Sequence, residues 1–138
     1  MPHKGAEASY LYDDPDIQQI LMKRLAARKR VPFKCVMMVD LSAHNQNLRD
    51  RKYKYTTKRL RDLHEEGAEV WLCKGDSGNG IFHWKAMVFN GKTCFTGSAN
   101  FTFSAKNQRN LMLKLTGPVV SIILEGLMEA KQDSVAAF

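Results

Sequence analysis

Four side chains in one short stretch have the chemistry to handle a phosphate. His83 and Lys85 stand two apart in His83-Trp84-Lys85, and Ser98 and Asn100 stand two apart in Gly97-Ser98-Ala99-Asn100. An imidazole can attack phosphorus and form a covalent intermediate, which divides one hard displacement into two easier ones. An ammonium and an amide can hold the non-bridging oxygens, where charge must be stabilised. Ser98 can add a hydrogen bond, and Gly97 lets the backbone come close. The lysine and the amides supply the electrostatics, so the pattern calls for no metal and no other cofactor.

These residues work together only if the chain gathers them. In a strand, residues two apart share a face, so His83 and Lys85 aim together and Trp84 points the other way. His83 to Phe89 and Thr93 to Thr96 read as strands joined by Asn90-Gly91, a strong hairpin signal. The returning strand places Gly97–Asn100 beside His83.

The surrounding chain reads as alternating helices and strands, the pattern of an α/β domain. Asp14-Pro15-Asp16 is a helix start, and Ile17, Ile20, Leu21 and Leu25 follow at helical spacing. The cations Arg28-Lys29-Arg30 close that helix before Pro32. Phe33 to Val39 is a continuous apolar run, as in a strand covered on both faces. Asp40 to Asn47 is polar and reads as a loop. A helix then runs to about residue 66, where Gly67 stops it. Ala68 to Cys73 and Arg109 to Leu115 read as strands, and Gly117-Pro118 opens a last helix. The glycine-rich run Lys74–Gly80 fits neither nucleotide fingerprint and reads as a turn. Residues 1–12 carry no periodic signal, and they are expected to be a mobile segment ahead of a domain spanning 13–138.

The chain has 138 residues and a net charge of +7, which favours a polyanion as partner. The charge is densest where Arg49, Arg51, Lys52, Lys54, Lys58 and Arg59 interleave with Tyr53 and Tyr55. Such a face is either solvated or in contact with a phosphate backbone or an anionic membrane surface. Cys35, Cys73 and Cys94 lie in apolar runs and read as buried thiols, which fits a reducing, intracellular compartment. His3, His44 and His64 are expected at the surface. The first residues lack the apolar centre of a signal peptide, and no apolar run is long enough to span a bilayer.

The full string, His83-x-Lys85, four residues, Asn90, then Gly97-Ser98-Ala99-Asn100, resembles the motif of the phospholipase D superfamily. The motif covers residues 83–102, and similarity in element order extends from about residue 9 to about residue 131. The single copy is similar to the bacterial nuclease and mitochondrial cardiolipin hydrolase branches. The resemblance implies an α/β/α sandwich, a mixed sheet flanked by helices. It implies a phosphodiesterase acting on nucleic acid or phospholipid through a phosphohistidine. Because members build one site from two motifs, it also implies a homodimer. One His83 would be the nucleophile, and the other would protonate the leaving oxygen and then activate water.

Three departures qualify these expectations. Asn90 replaces the motif's usual aspartate, a supporting residue. Arg109 stands where similar members carry a glutamate that orients the histidine, and a guanidinium cannot accept a hydrogen bond. The family's first helix and central strand are not evident before Ser9, so the domain is read as lacking them. The competing readings are a decayed module that binds nucleic acid or anionic lipid, and a non-functional fragment.

Overall fold

The computed structural model describes residues 3–9, 12–49, 54–75, 82–101 and 104–138. The order of elements is β1 (His3–Ser9), α1 (Pro15–Ala26), β2 (Phe33–Asp40), α2 (Leu41–Arg49), α3 (Lys54–Glu65), β3 (Glu69–Cys73), β4 (Ala86–Phe89), β5 (Thr93–Gly97), a 3₁₀ turn (Ser104–Asn107), β6 (Met112–Thr116), α4 (Pro118–Gln132) and β7 (Val135–Ala136). Among the described residues the strands form one seven-stranded sheet in the order β6-β5-β4-β1-β2-β3-β7. β1, β2 and β3 run parallel. β4, β5 and β6 form an antiparallel meander on one side, and β7 is antiparallel to β3 at the other edge.

Side-chain alternation along β2 divides the core into two layers. Cys35, Met37 and Val39 pack with Leu21 and Leu25 of α1 and with Leu60 and Leu63 of α3. Val36 and Met38 face the other way, toward Val88, Cys94, and Val120 and Leu127 of α4. Both faces of β2 are therefore covered, which is why Phe33–Val39 reads as an unbroken apolar run. The result is the expected α/β/α sandwich with a mixed sheet.

Local signals set several boundaries. Asp14 caps α1, its Oδ1 accepting from Asp16 N at 2.8 Å and Ile17 N at 3.2 Å, with Pro15 in the first helical turn. Gly67 follows α3 at φ 107°, a backbone conformation that an L side chain resists.

Other elements depart from the sequence reading. His3–Ser9, expected to be unpatterned and mobile, is the strand between β2 and β4, paired on both sides. The first strand is therefore present. Gly, Ala, Glu and Lys are poor strand formers, so pairing on both edges places this segment where its own residues give no signal. Leu41–Arg49, expected as a loop, is helix α2. Its start is fixed by Asp40, whose Oδ2 accepts from Ser42 Oγ and from Ala43 N at 2.9 Å. The ladder of β4 begins at Ala86 rather than His83, and β6 begins at Met112 rather than Arg109. His44 is buried instead of exposed, with its ring edge-on to Phe138.

Because β1 joins the parallel strands to the meander, we expect deletion of residues 1–9 to split the sheet and abolish cooperative unfolding in urea. A shortened protein with an unchanged midpoint would contradict the central placement of this strand.

Candidate active site

The site lies where the parallel strands end. Ser9 pairs with Val39, and Ala8 pairs with Ala86, so the residues just before Ala86 emerge beyond the carboxyl ends of β1 and β2. Open α/β sheets bind ligands at this edge, where successive loops converge.

His83 and Lys85 come together there. Lys85 is 7% exposed, whereas the His83 side chain faces solvent. The Lys85 Nζ donates to His83 O at 2.8 Å, and it lies 2.9 Å from His83 Nδ1 and 3.3 Å from Nε2. The ammonium thus lies within hydrogen-bond distance of the ring nitrogens and can donate to one that is unprotonated. Burial pulls the Lys85 amine below the usual lysine range, since an enclosed cation loses hydration.

The hairpin brings the second half of the pattern alongside. Ala86 pairs with Thr96, and Thr96 Oγ1 donates to Lys85 O at 2.8 Å. Asn90 (φ 56°) and Gly91 (φ 65°) form the turn, closed by Lys92 N donating to Phe89 O at 3.0 Å. Asn90 lies at the far end of the hairpin, about 17 Å from Lys85 at strand rise. Asn90 is thus part of the turn, which tolerates Asn at positive φ.

Gly97 and Ser98 join β5 to β6. A Cβ on Gly97 would lie 1.9 Å from Leu111 O and 2.9 Å from Met112 Cα. The close approach anticipated at Gly97 is thus to the neighbouring strand. Ser98 N donates to Leu111 O at 2.9 Å, and Ser98 Oγ accepts from Leu111 N at 2.9 Å. The same hydroxyl donates to Asn110 Oδ1 at 3.2 Å. Ser98 is therefore turned toward β6 and must rotate its O–H to meet a phosphate. Asn100, half-buried, precedes Phe101, whose carbonyl accepts from Asp13 N and Asp14 N, both at 3.1 Å. That pair of bonds ties the Asn100 segment to the start of α1.

Arg109 is exposed between the 3₁₀ turn and β6, and among the described residues it forms no ion pair with a carboxylate. Its neighbour Asn110 donates from Nδ2 to Ala105 O at 3.1 Å, which fixes the chain there.

The basic stretch is only partly assembled. Lys58 is exposed and pairs with Asp62 at 2.8 Å. Arg59 is half-buried, and its carbonyl accepts from Gln18 Nε2 at 3.1 Å. Gln18 also accepts from Tyr12 OH at 2.6 Å, which places the middle of α3 beside the first turn of α1. Arg49 and Lys54 are described in backbone only, and Arg51 and Lys52 lie outside the described residues. Cys35, Cys73 and Cys94 are buried, and burial, with Asp40 nearby, pushes the Cys73 thiol up to about 12. Among the described residues no group of three or more His, Cys, Asp and Glu side chains could hold a metal ion, and no helix is long and apolar enough to cross a membrane.

Two residues at this edge escape the sequence reading. Asp40 Oδ1 accepts from Phe82 N at 2.6 Å, one residue before His83. A lone acid ending an apolar parallel strand, at the edge where ligands bind, was the available signal. On the opposite face a Cβ on Gly126 would lie 2.6 Å from Trp84 Cη2, so the absent side chain makes room for the indole. Trp84 also stacks on Phe82, with ring centroids 6.5 Å apart.

The comparisons agree with this architecture. The model of a family described as cardiolipin synthase, PLD-like domain, matches residues 8–130. The fold is similar to Nuc of Salmonella typhimurium, a phospholipase D family member, with a TM-score of 0.74 and 20% identity over 96% of this chain and 80% of that one. NucT of Helicobacter pylori gives a TM-score of 0.74 and 21% identity over 96% of this chain and 81% of that one. A phosphatidylserine synthase of Haemophilus influenzae gives 0.65 and 13% identity, over 96% of this chain and 33% of the other. No curated protein sequence matches the chain.

Gly97→Ala forces a methyl group into the β6 backbone. We expect a loss of about 1–3 kcal/mol or more in urea unfolding, the scale of overpacking. Unchanged stability would contradict the close approach of β5 and β6.

Proposed function

The chain belongs to the phospholipase D-like family, and we propose on that premise that it is a metal-independent phosphodiesterase whose nucleophile is His83. The observation that carries the reading is the buried Lys85 ammonium held 2.9 Å from a ring nitrogen of an exposed imidazole. A phosphodiester arriving from solvent meets the ring first and the cation immediately behind it.

In this reading a ring nitrogen of His83 attacks phosphorus as the leaving oxygen departs. Lys85 and Asn100 stabilise the non-bridging oxygens, and Ser98 swings its hydroxyl from Asn110 to join them. His83 of the partner subunit in a homodimer gives the leaving oxygen its proton. It then takes a proton from water, which attacks phosphorus and frees the first histidine. The buried amine suits the task because a weakly hydrated cation interacts strongly with an anion in a site of low dielectric. Nucleic acid and phospholipid both present the required diester. The cations of the 49–59 stretch would serve either one, as would contact with an anionic membrane surface. The buried thiols favour an intracellular setting.

Arg109 favours a second reading, a module that binds the same anions without turning them over. Arg109 stands where similar members carry the glutamate that orients the histidine, and a guanidinium cannot take over that accepting role. Losing the carboxylate behind a catalytic histidine costs roughly 10⁴ in turnover in serine proteases.

Hydrolysis of bis(p-nitrophenyl) phosphate in chelator decides between them. We expect slow turnover that is lost in His83→Ala and raised roughly 10- to 10⁴-fold in Arg109→Glu. Equal traces in wild type and His83→Ala would leave the binding module as the correct reading. Plasmid DNA, RNA and cardiolipin vesicles in the same assay then identify the substrate class.

A further inference from the structure

We infer that Asp40 is a positioning residue for His83, an inference that rests on His83 being the nucleophile. Phe82, His83, Trp84 and Lys85 precede the first residue of β4, so ladder hydrogen bonds do not fix them. Other contacts must hold this segment, and the one nearest to His83 on its N-terminal side is the Asp40 carboxylate. Its Oδ1 accepts from Phe82 N at 2.6 Å. Its Oδ2 accepts from Ala43 N at 2.9 Å and from Ser42 Oγ.

Asp40 is 1% exposed and is the last residue of β2. One carboxylate thus joins the end of a central strand, the start of α2 and the segment that carries the nucleophile. The two oxygens do different work, one capping the helix and the other clamping Phe82. Among the described residues no cation pairs with Asp40, so N–H and O–H donors satisfy its charge, including those at the positive end of α2. Phe82 is itself buried, so a shift of its backbone is transmitted to the next residue rather than absorbed by solvent.

The charge matters as well as the shape. An amide at position 40 has one acceptor oxygen. Its nitrogen would face either Phe82 N–H or the donors of α2, donor against donor. Asp40→Asn therefore relaxes either the cap or the clamp while nearly preserving volume.

The test uses the full chain with Asp40→Asn beside Ser42→Ala, which weakens only the cap. For Asp40→Asn we expect kcat to fall roughly 10- to 100-fold with KM within about twofold, because a displacement of about 1 Å at a reacting group costs up to about 10². We expect the imidazole carbon and nitrogen resonances of His83 to move while those of His64 stay in place. Ser42→Ala is expected to lower the melting temperature and to leave kcat and the His83 resonances unchanged. An Asp40→Asn protein with wild-type kcat and unmoved His83 resonances overturns the inference. So does a loss confined to the fraction of folded protein. If wild type proves inactive, the function reading fails, and the resonances alone still decide the role of Asp40. Should Asp40→Asn fail to fold, Asp40→Glu keeps the charge, moves the oxygens by one methylene and carries the same two readouts.

Discussion

A lysine that surrenders its water must be given hydrogen bonds in return, and this constraint organises the edge of the sheet where His83 and Lys85 meet. The Lys85 ammonium is enclosed, and it is held by the His83 carbonyl and the His83 ring. Burying a charge without such contacts is costly, so the side chain and the histidine fix one another. The lowered affinity of Lys85 for its proton is the signature of that enclosure. Among the described residues no carboxylate pairs with Lys85, and an anionic ligand would supply that counter-charge. In the reaction proposed above, the phosphodiester is that anion.

The remainder of the fold holds this pair from several directions. Thr96 Oγ1 takes the Lys85 carbonyl from β5, and β5 is in turn pressed against β6 at Gly97, where no side chain fits. Phe101 O binds the two amides that open α1, and Gln18 connects α1 to α3. Asp40 reaches the segment from β2, and Trp84 rests in the gap left by Gly126. Each tether comes from a different element, so the geometry of four residues depends on most of the sheet.

What could be read from sequence was whatever depends on local rules. The Asp14 cap, the Gly67 stop and the Asn90-Gly91 turn are backbone requirements with few solutions, and each was found where the sequence placed it. The apolar run of β2 was legible because burial on both faces leaves no alternation to misread. β1 was not legible, since its strand character comes from two neighbours distant in sequence. α2 is not legible because Leu41–Arg49 is largely polar and its cap, Asp40, is also the end of a strand, and β7 is not because two residues carry no periodicity. The same limit applied at the site. The pairing of His83 with Lys85 is legible in their spacing of two, although the ladder of β4 begins only at Ala86, whereas Asp40 enters through a hydrogen bond across 42 positions. Arg109 was legible as an anomaly of the pattern, and the structure leaves it exposed, with Asn110 beside it linked to Ser98.

The proposed reaction begins with nitrogen attacking phosphorus. Rapid acid-free quenching of the protein with a slowly hydrolysed phosphodiester, followed by peptide mass spectrometry, looks for that bond directly. We expect a phosphoryl adduct on His83 that survives alkali and is lost in acid, at up to one per active site. An adduct on another residue, or none while substrate is being consumed, would contradict it.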